Sequence, residues 1–144
     1  PNTGDAAGLA LAAQRGGASA VSAINTLRAL AIDVHLRRPV LSHGLGGLSG
    51  PAIKPVGLAC VWQIFEKVTI PVIGVGGIAS AQDALEYVMA GARALEVGTQ
   101  VTFDGIGVFG RLATDLSRLL DELGFARLED AVGVAHRASS VPPE

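Results

Sequence analysis

Apolar residues run through this chain in two alternating rhythms. "DAAGLALAAQRG", Asp5 to Gly16, is rich in alanine and leucine. It predicts a helix that Asp5 caps and the Gly16-Gly17 pair stops. "ASAVSAI", Ala18 to Ile24, is a short apolar run closed by the polar pair Asn25-Thr26, and it predicts a buried strand. Leu27 to Leu48 then loses both rhythms. Its "RRPVLSHGLGG" speaks against a helix, so a long irregular connection is expected, with room for two short strands. Connections of that length inside a domain tend to carry function. The helical spacing returns over Pro51 to Lys67, with Ile53, Val56, Ala59, Cys60 and Ile64 on one face.

"IPVIGV", Ile70 to Val75, predicts a second buried strand. Ser80 to Ala90 predicts a helix, with Ser80 as cap, Asp83 in the first turn and Gly91 at the stop. "ALEV", Ala94 to Val97, predicts a third strand, at the spacing of one βαβ unit. A last long helix is expected over Gly107 to Leu123, with Val108, Leu112, Leu116, Leu119, Leu120 and Leu123 aligned. One short helical turn is expected within Arg127 to Val134. Helix and strand thus alternate, which defines an α/β fold with parallel strands, because crossover helices join them. The near-continuous apolar strands fit a sheet covered on both faces. The order opens on a helix, which implies a strand before it. Three strands make either a small open sheet or part of a larger one.

Composition narrows the class. The 144 residues are 49% hydrophobic and 17% charged, enough for a core and too little charge for disorder. A net charge of -2 without a basic run argues against nucleic-acid binding through phosphates. One cysteine allows no internal disulfide. No apolar run is long enough to cross a bilayer, and Pro1 to Asp5 lacks the features of a signal peptide. The expectation is a cytoplasmic protein without membrane or nucleic-acid partners.

Parallel α/β folds bind ligands at the carboxyl ends of their strands. Those ends carry Asn25-Thr26, Gly76-Gly77 and Gly98-Thr99. Two neighbouring strand tips therefore offer bare main-chain N–H groups, with no Cβ in the way and a helix start close behind. A phosphate group wants that arrangement. Glycine also serves simple βα turns, but its repetition at two adjacent tips favours a phosphate cradle.

These residues carry a resemblance. "AINTLRALAIDVHLRRPVLSHGLGGLSGPAIKP" and "IPVIGVGGIASAQDALEYVMAGARALEVGTQ" resemble the dihydroorotate dehydrogenases. The closer likeness is to the class 1 branch that pairs with an iron–sulfur flavin subunit and passes electrons to NAD. "LGFARLEDAVGVAHR" resembles that family's tail. The resemblance implies a partial TIM (β/α)8 barrel, here its last three parallel strands with their helices, within an FMN enzyme that oxidises dihydroorotate to orotate. It implies that Ile24, Gly50, Gly76, Gly77, Gly98 and Thr99 contact FMN, the last four at its phosphate, and that Asn25 and Thr26 contact the substrate ring. An amide and a hydroxyl suit the imide and carboxylate of orotate. It places the catalytic base, a cysteine, and flavin-contacting lysines in the first half of the barrel, so no catalytic residue is assigned here. The whole enzyme is expected to be a homo-oligomer, and the chain alone inactive.

Other residues have plainer readings. Cys60 lies mid-helix on the apolar face and reads as a buried, inert thiol. Lys54, in a first helical turn, reads as a solvated surface residue. His35, His43 and His136 show no metal-ligand spacing, and His43 reads as a loop histidine near the Gly46-Gly47 pair. Asp33 with Arg37 and Arg38 reads as a solvated charge cluster. Asp104-Gly105 stands where relatives carry proline and leaves the start of the last helix open. The alternatives are another phosphate-binding barrel enzyme, such as one acting on a sugar phosphate, and an inactive half-barrel that folds by pairing with another half. Asn25-Thr26 and the Gly46–Pro51 loop argue against the first. Open barrel edges would make the second self-associate.

Overall fold

Asp5 opens the first helix by accepting the Gly8 N–H at 2.7 Å, which satisfies one orphan donor of the first turn. The computed structural model describes residues 2–138. In it that helix is α1 (Ala6–Arg15), stopped at Gly16. β1 follows at Val21–Ala23, β6 at Val72–Val75 and β7 at Ala92–Glu96. The first two are shorter than the apolar runs that announced them, and β7 starts earlier than the Ala94 expected.

The three strands pair in the order β1-β6-β7, all parallel, in the register Val21 with Val72 and Val75 with Glu96. α2 (Lys54–Phe65) and α3 (Ala81–Met89) are the crossovers, and a short 3₁₀ turn at Pro51–Ile53 leads into α2. The result is an open three-stranded arc, not a closed barrel.

One face of this arc packs on the helices. Val61, Val72, Tyr87, Val88 and Val108 are the largest fully buried side chains. The other face is uncovered: Ser22 of β1 donates to Glu96 of β7 at 3.2 Å, reaching past β6, and both residues are exposed. The expectation of cover on both faces is therefore met on one face only, among the described residues.

Between β1 and α2 stand four short strands, not two. β2 (Leu27–Ala29) pairs antiparallel with β5 (Gly46–Leu48), and β3 (Ile32–Asp33) with β4 (Arg38–Pro39). Asp33 makes the inner turn, its carboxylate accepting the His35 and Leu36 N–H groups at 2.9 Å each. It is thus a turn residue, with Arg38 opposite it in the β3–β4 pairing. Leu30, Ile32, Val34, Leu36 and Val40 stand more than half exposed on this ribbon.

Face assignments change on two helices. Val56 and Ala59 are exposed, and Gly57 and Val61 join Cys60 and Ile64 on the buried side of α2. Leu123 is exposed beyond the end of α5 (Val108–Glu122). The helix α4 (Thr99–Asp104) was not foreseen, and Gly105 ends it. Past α5 come α6 (Leu128–Ala131) and α7 (Val134–Ala138). No helix among the described residues is long and apolar enough to cross a membrane.

Candidate functional site

The strand tips meet. Gly76 and Gly77 after β6, and Gly98 and Thr99 after β7, line one cleft of about 120 Å³. Ile24, Thr26 and Gly50 line it as well, so seven of the eight residues singled out from the sequence converge. The volume lies well below the ~300–1,000 Å³ of a complete small-molecule site. Asn25 lies apart, in a second cleft beside α1 with Asn2, Ala6 and Ala10.

The cleft wall is main chain held by short links. Thr99 Oγ1 donates to Ser49 Oγ at 2.8 Å, tying the β7 tip to the loop before Gly50. A Cβ built on Gly77 would lie 2.7 Å from the Gly50 carbonyl oxygen, so the β6 tip touches the same loop. Among the described residues, the N–H groups of Gly76, Gly77, Gly98 and Thr99 donate to no main-chain carbonyl outside the regular elements. Those donors are what a bound anion would use. The start of α3 does not add to them. Its capping box is closed, with Asp83 Oδ2 accepting the Ala79 and Ser80 N–H groups at 3.1 and 2.9 Å. Glu96, which also lines the cleft, turns its Oε1 to Ser22.

Lys54 is not a solvated surface residue. Its Nζ lies 2.5 Å from Asp83 Oδ1 and 2.9 Å from Glu86 Oε2, with side chains only 23% and 17% exposed for Lys54 and Asp83. This pair joins the start of α2 to the start of α3, directly behind the Gly76-Gly77 turn. The Asp83 hydrogen bond, then that to Glu86, raises the Lys54 pKa above its ordinary value. Burial pushes the Asp83 carboxyl up, but hydrogen bonds from Lys54, Ser80 and Ala79 outweigh it and hold the group below its ordinary value.

A pH dependence follows. A lowered Asp83 contributes stability above the ordinary aspartate range near ~4, lost as pH falls through its lower folded value. A raised Lys54 contributes stability that is full below ~10.5 and is lost as pH rises through its higher folded value. The gap in melting temperature between wild type and Lys54→Met is expected to be widest at intermediate pH and to close at both extremes. A gap unchanged from pH 2 to 12 would refute the pair's role.

Tyr87, fully buried, was missed by the sequence reading. Its hydroxyl donates to the Gly76 carbonyl at 2.7 Å. Burial raises its pKa, with Cys60 and Asp83 acting in the same direction, so it stays a neutral donor. Asn2 was missed too. Its amide donates to the Thr26 carbonyl at 2.9 Å and accepts the Arg28 N–H at 3.0 Å, bracing the segment that carries Asn25. Asn25 Oδ1 accepts the Thr26 N–H at 2.7 Å. Cys60 is buried in α2. His136 stacks on Trp62 with ring centroids 3.5 Å apart, and its Nε2 lies 3.1 Å from the Ala90 carbonyl, a packing role.

An arc of parallel strands, helices on its outer face and a cleft at the carboxyl tips define a segment of an α/β barrel. A family model described as dihydroorotate dehydrogenase matches residues 1–120. The chain belongs to the dihydroorotate dehydrogenase family. The catalytic subunit of dihydroorotate dehydrogenase B (NAD(+)) from Pyrococcus furiosus is 46% identical over 95% of this chain and 46% of that protein. Its counterpart from Thermococcus kodakarensis is 50% identical over 94% of this chain and 45% of that protein. The crystal structure of DHODH from Eimeria tenella in complex with ferulenol superposes with a TM-score of 0.76 at 29% identity, covering 93% of this chain and 35% of that one. The chain spans about half the length of the curated relatives it matches.

Proposed function

We propose that this chain is the carboxyl-terminal part of a cytoplasmic, FMN-dependent dihydroorotate dehydrogenase, and that its role is to hold the phosphate of FMN and part of the substrate. The observation that carries this reading is the convergence of Gly76-Gly77 and Gly98-Thr99 on one cleft, their N–H groups donating, among the described residues, to no main-chain carbonyl outside the regular elements. A phosphate accepts such donors readily, and the absence of a Cβ allows close approach. Gly50 and Ile24 complete the contact with FMN. Thr26, in the same cleft, offers a hydroxyl to the imide or carboxylate of dihydroorotate or orotate; Asn25, which lines the neighbouring cleft, joins it as a substrate contact on the family resemblance alone.

The chemistry supplied by bound FMN is acceptance of a hydride from dihydroorotate. The chain's own residues bind and orient. No residue here is assigned as the base that takes the accompanying proton; the resemblance places that cysteine in the first half of the barrel. The uncovered sheet face with Ser22 and Glu96, and the exposed ribbon, support a chain completed by that other half. The naming of relatives as catalytic subunits of an NAD(+) enzyme supports a further subunit beside this one; an electron-transfer role for that subunit and homo-oligomerisation of the whole enzyme belong to the proposal.

Flavin fluorescence titration tests the reading. The purified chain is expected to bind FMN weakly, to prefer it over riboflavin, which lacks the phosphate, and to leave dihydroorotate unoxidised. Equal affinity for the two flavins would remove the phosphate cradle. Full dehydrogenase activity from a clean monomer would refute the division of labour.

A further inference from the structure

The Gly76-Gly77 peptide is gripped from behind by groups that never reach the cleft. Tyr87 Oη donates to the Gly76 carbonyl at 2.7 Å and comes within 3.3 Å of the Val75 carbonyl. The Gly76–Gly77 bond is trans, since the only cis peptide among the described residues joins Ala23 and Ile24. In a planar trans peptide the N–H lies antiparallel to the C=O. A carbonyl drawn toward the helix layer by Tyr87 therefore turns the Gly77 N–H the other way, toward the cleft that Gly77 lines. Without that hydrogen bond, a pair of glycines has little to keep the peptide from turning over.

The second grip lies on the far side of the turn. Asp83 accepts from Ala79 N, Ser80 N and Ser80 Oγ, and Lys54 binds its other oxygen. Lys54 begins the helix that follows Gly50, so the ion pair fixes the Gly76–Ser80 turn against the Gly50 loop. Its Nζ is committed to two carboxylates, and so it acts through Asp83 rather than on a ligand.

We infer that Tyr87 and the Lys54–Asp83 pair are positioning residues for the anion cradle: Tyr87 sets the direction of the Gly77 N–H, and Lys54–Asp83 sets the distance between the two walls. This rests on the phosphate-cradle reading above. It adds what makes the cradle selective, a buried phenol and an ion pair on the outer side of the sheet.

The test compares FMN with riboflavin by fluorescence titration in wild type, Tyr87→Phe, Lys54→Met and Lys54→Arg, with a melting temperature for each. Tyr87→Phe removes one oxygen and keeps the ring. It is expected to reduce FMN affinity about fivefold, the worth of one ordinary hydrogen bond, with riboflavin affinity unchanged. Lys54→Met is expected to narrow the preference, and Lys54→Arg to restore part of it. A merely structural role would lower the melting temperature and weaken both flavins equally. Should Tyr87→Phe be unstable, amide NMR of the Lys54 variants with inorganic phosphate as probe decides: the Gly77 signal shifts on titration in wild type and less in Lys54→Met. A wild type that prefers FMN, with Tyr87→Phe and Lys54→Met preferring it equally, overturns this inference alone. A wild type without any preference overturns the cradle and this inference with it.

Discussion

Gly77→Ala is expected to erase the preference for FMN over riboflavin and to lower the melting temperature as well. The new Cβ would lie 2.7 Å from the Gly50 carbonyl oxygen and 2.9 and 3.0 Å from Cβ and N of Lys54. Two of these atoms are main chain and the third is fixed to it, so no rotamer change relieves the overlap. The residue also sits at φ +73, where an L side chain costs about 1–2 kcal/mol. The turn must move away from the Gly50 loop, and its donors move with it. For a domain of this size a loss of 2 kcal/mol corresponds to roughly 4–8 °C. Gly98→Ala separates the two effects. Its φ is -110 and a Cβ there meets nothing within 4 Å, so stability should hold. Calorimetry and flavin titration on both variants check this. Unchanged FMN selectivity in Gly77→Ala would mean that the β6 tip does not touch the anion.

What the sequence made legible was what is local. The capping box of α3 needs only Ser80 and Asp83, three residues apart, and the structure closes it. The α1 cap at Asp5 and the stop at Gly16 are equally local. The ribbon was not legible, because β2 pairs with β5 across an intervening hairpin, and no short pattern records that. Periodicity put Val56 on the buried face of α2, since it counts only side chains. The structure puts Gly57 there instead, because the neighbour below it is the Tyr87 hydroxyl. α4 is too short for a helical rhythm, with only Val101 and Phe103 apolar between Gly98 and Gly105.

The site divides in the same way. Its front, glycines at consecutive strand tips, follows from topology once the strands are placed, and the tips do share a cleft. Its back does not follow. Lys54 and Asp83 stand 29 positions apart; alone, Lys54 looks like a solvated charge and Asp83 like a first-turn helix residue. Asn2 braces Arg28 and Thr26 from a part of the chain that showed no periodic signal. Groups that support a site through long-range contacts are legible only when the fold brings them together.

Gly57→Ala is expected to cost about 2 kcal/mol of stability, within the range for overpacking a core, and most of that cost should vanish when Tyr87 is already phenylalanine. The Cβ at Gly57 would overlap the Tyr87 hydroxyl and lie 3.1 Å from its ring carbon and 3.2 Å from the Val75 carbonyl. Tyr87 is fully buried between α2 and β6, so it cannot swing into solvent to make room. The methyl must push α2 outward or drive the hydroxyl off the Gly76 carbonyl. Either route loosens the β6 tip, so FMN selectivity should fall together with stability. In Tyr87→Phe the oxygen is gone and the closest remaining approaches are the 3.1 and 3.2 Å contacts, which a small shift accommodates. Urea unfolding of the wild type, the two single variants and the double variant gives the coupling, expected at about 1 kcal/mol or more for residues in direct contact. Simple additivity would show that the space beneath Gly57 is not reserved for the hydroxyl that holds Gly76, and the link from the core of this arc to its cleft would be broken.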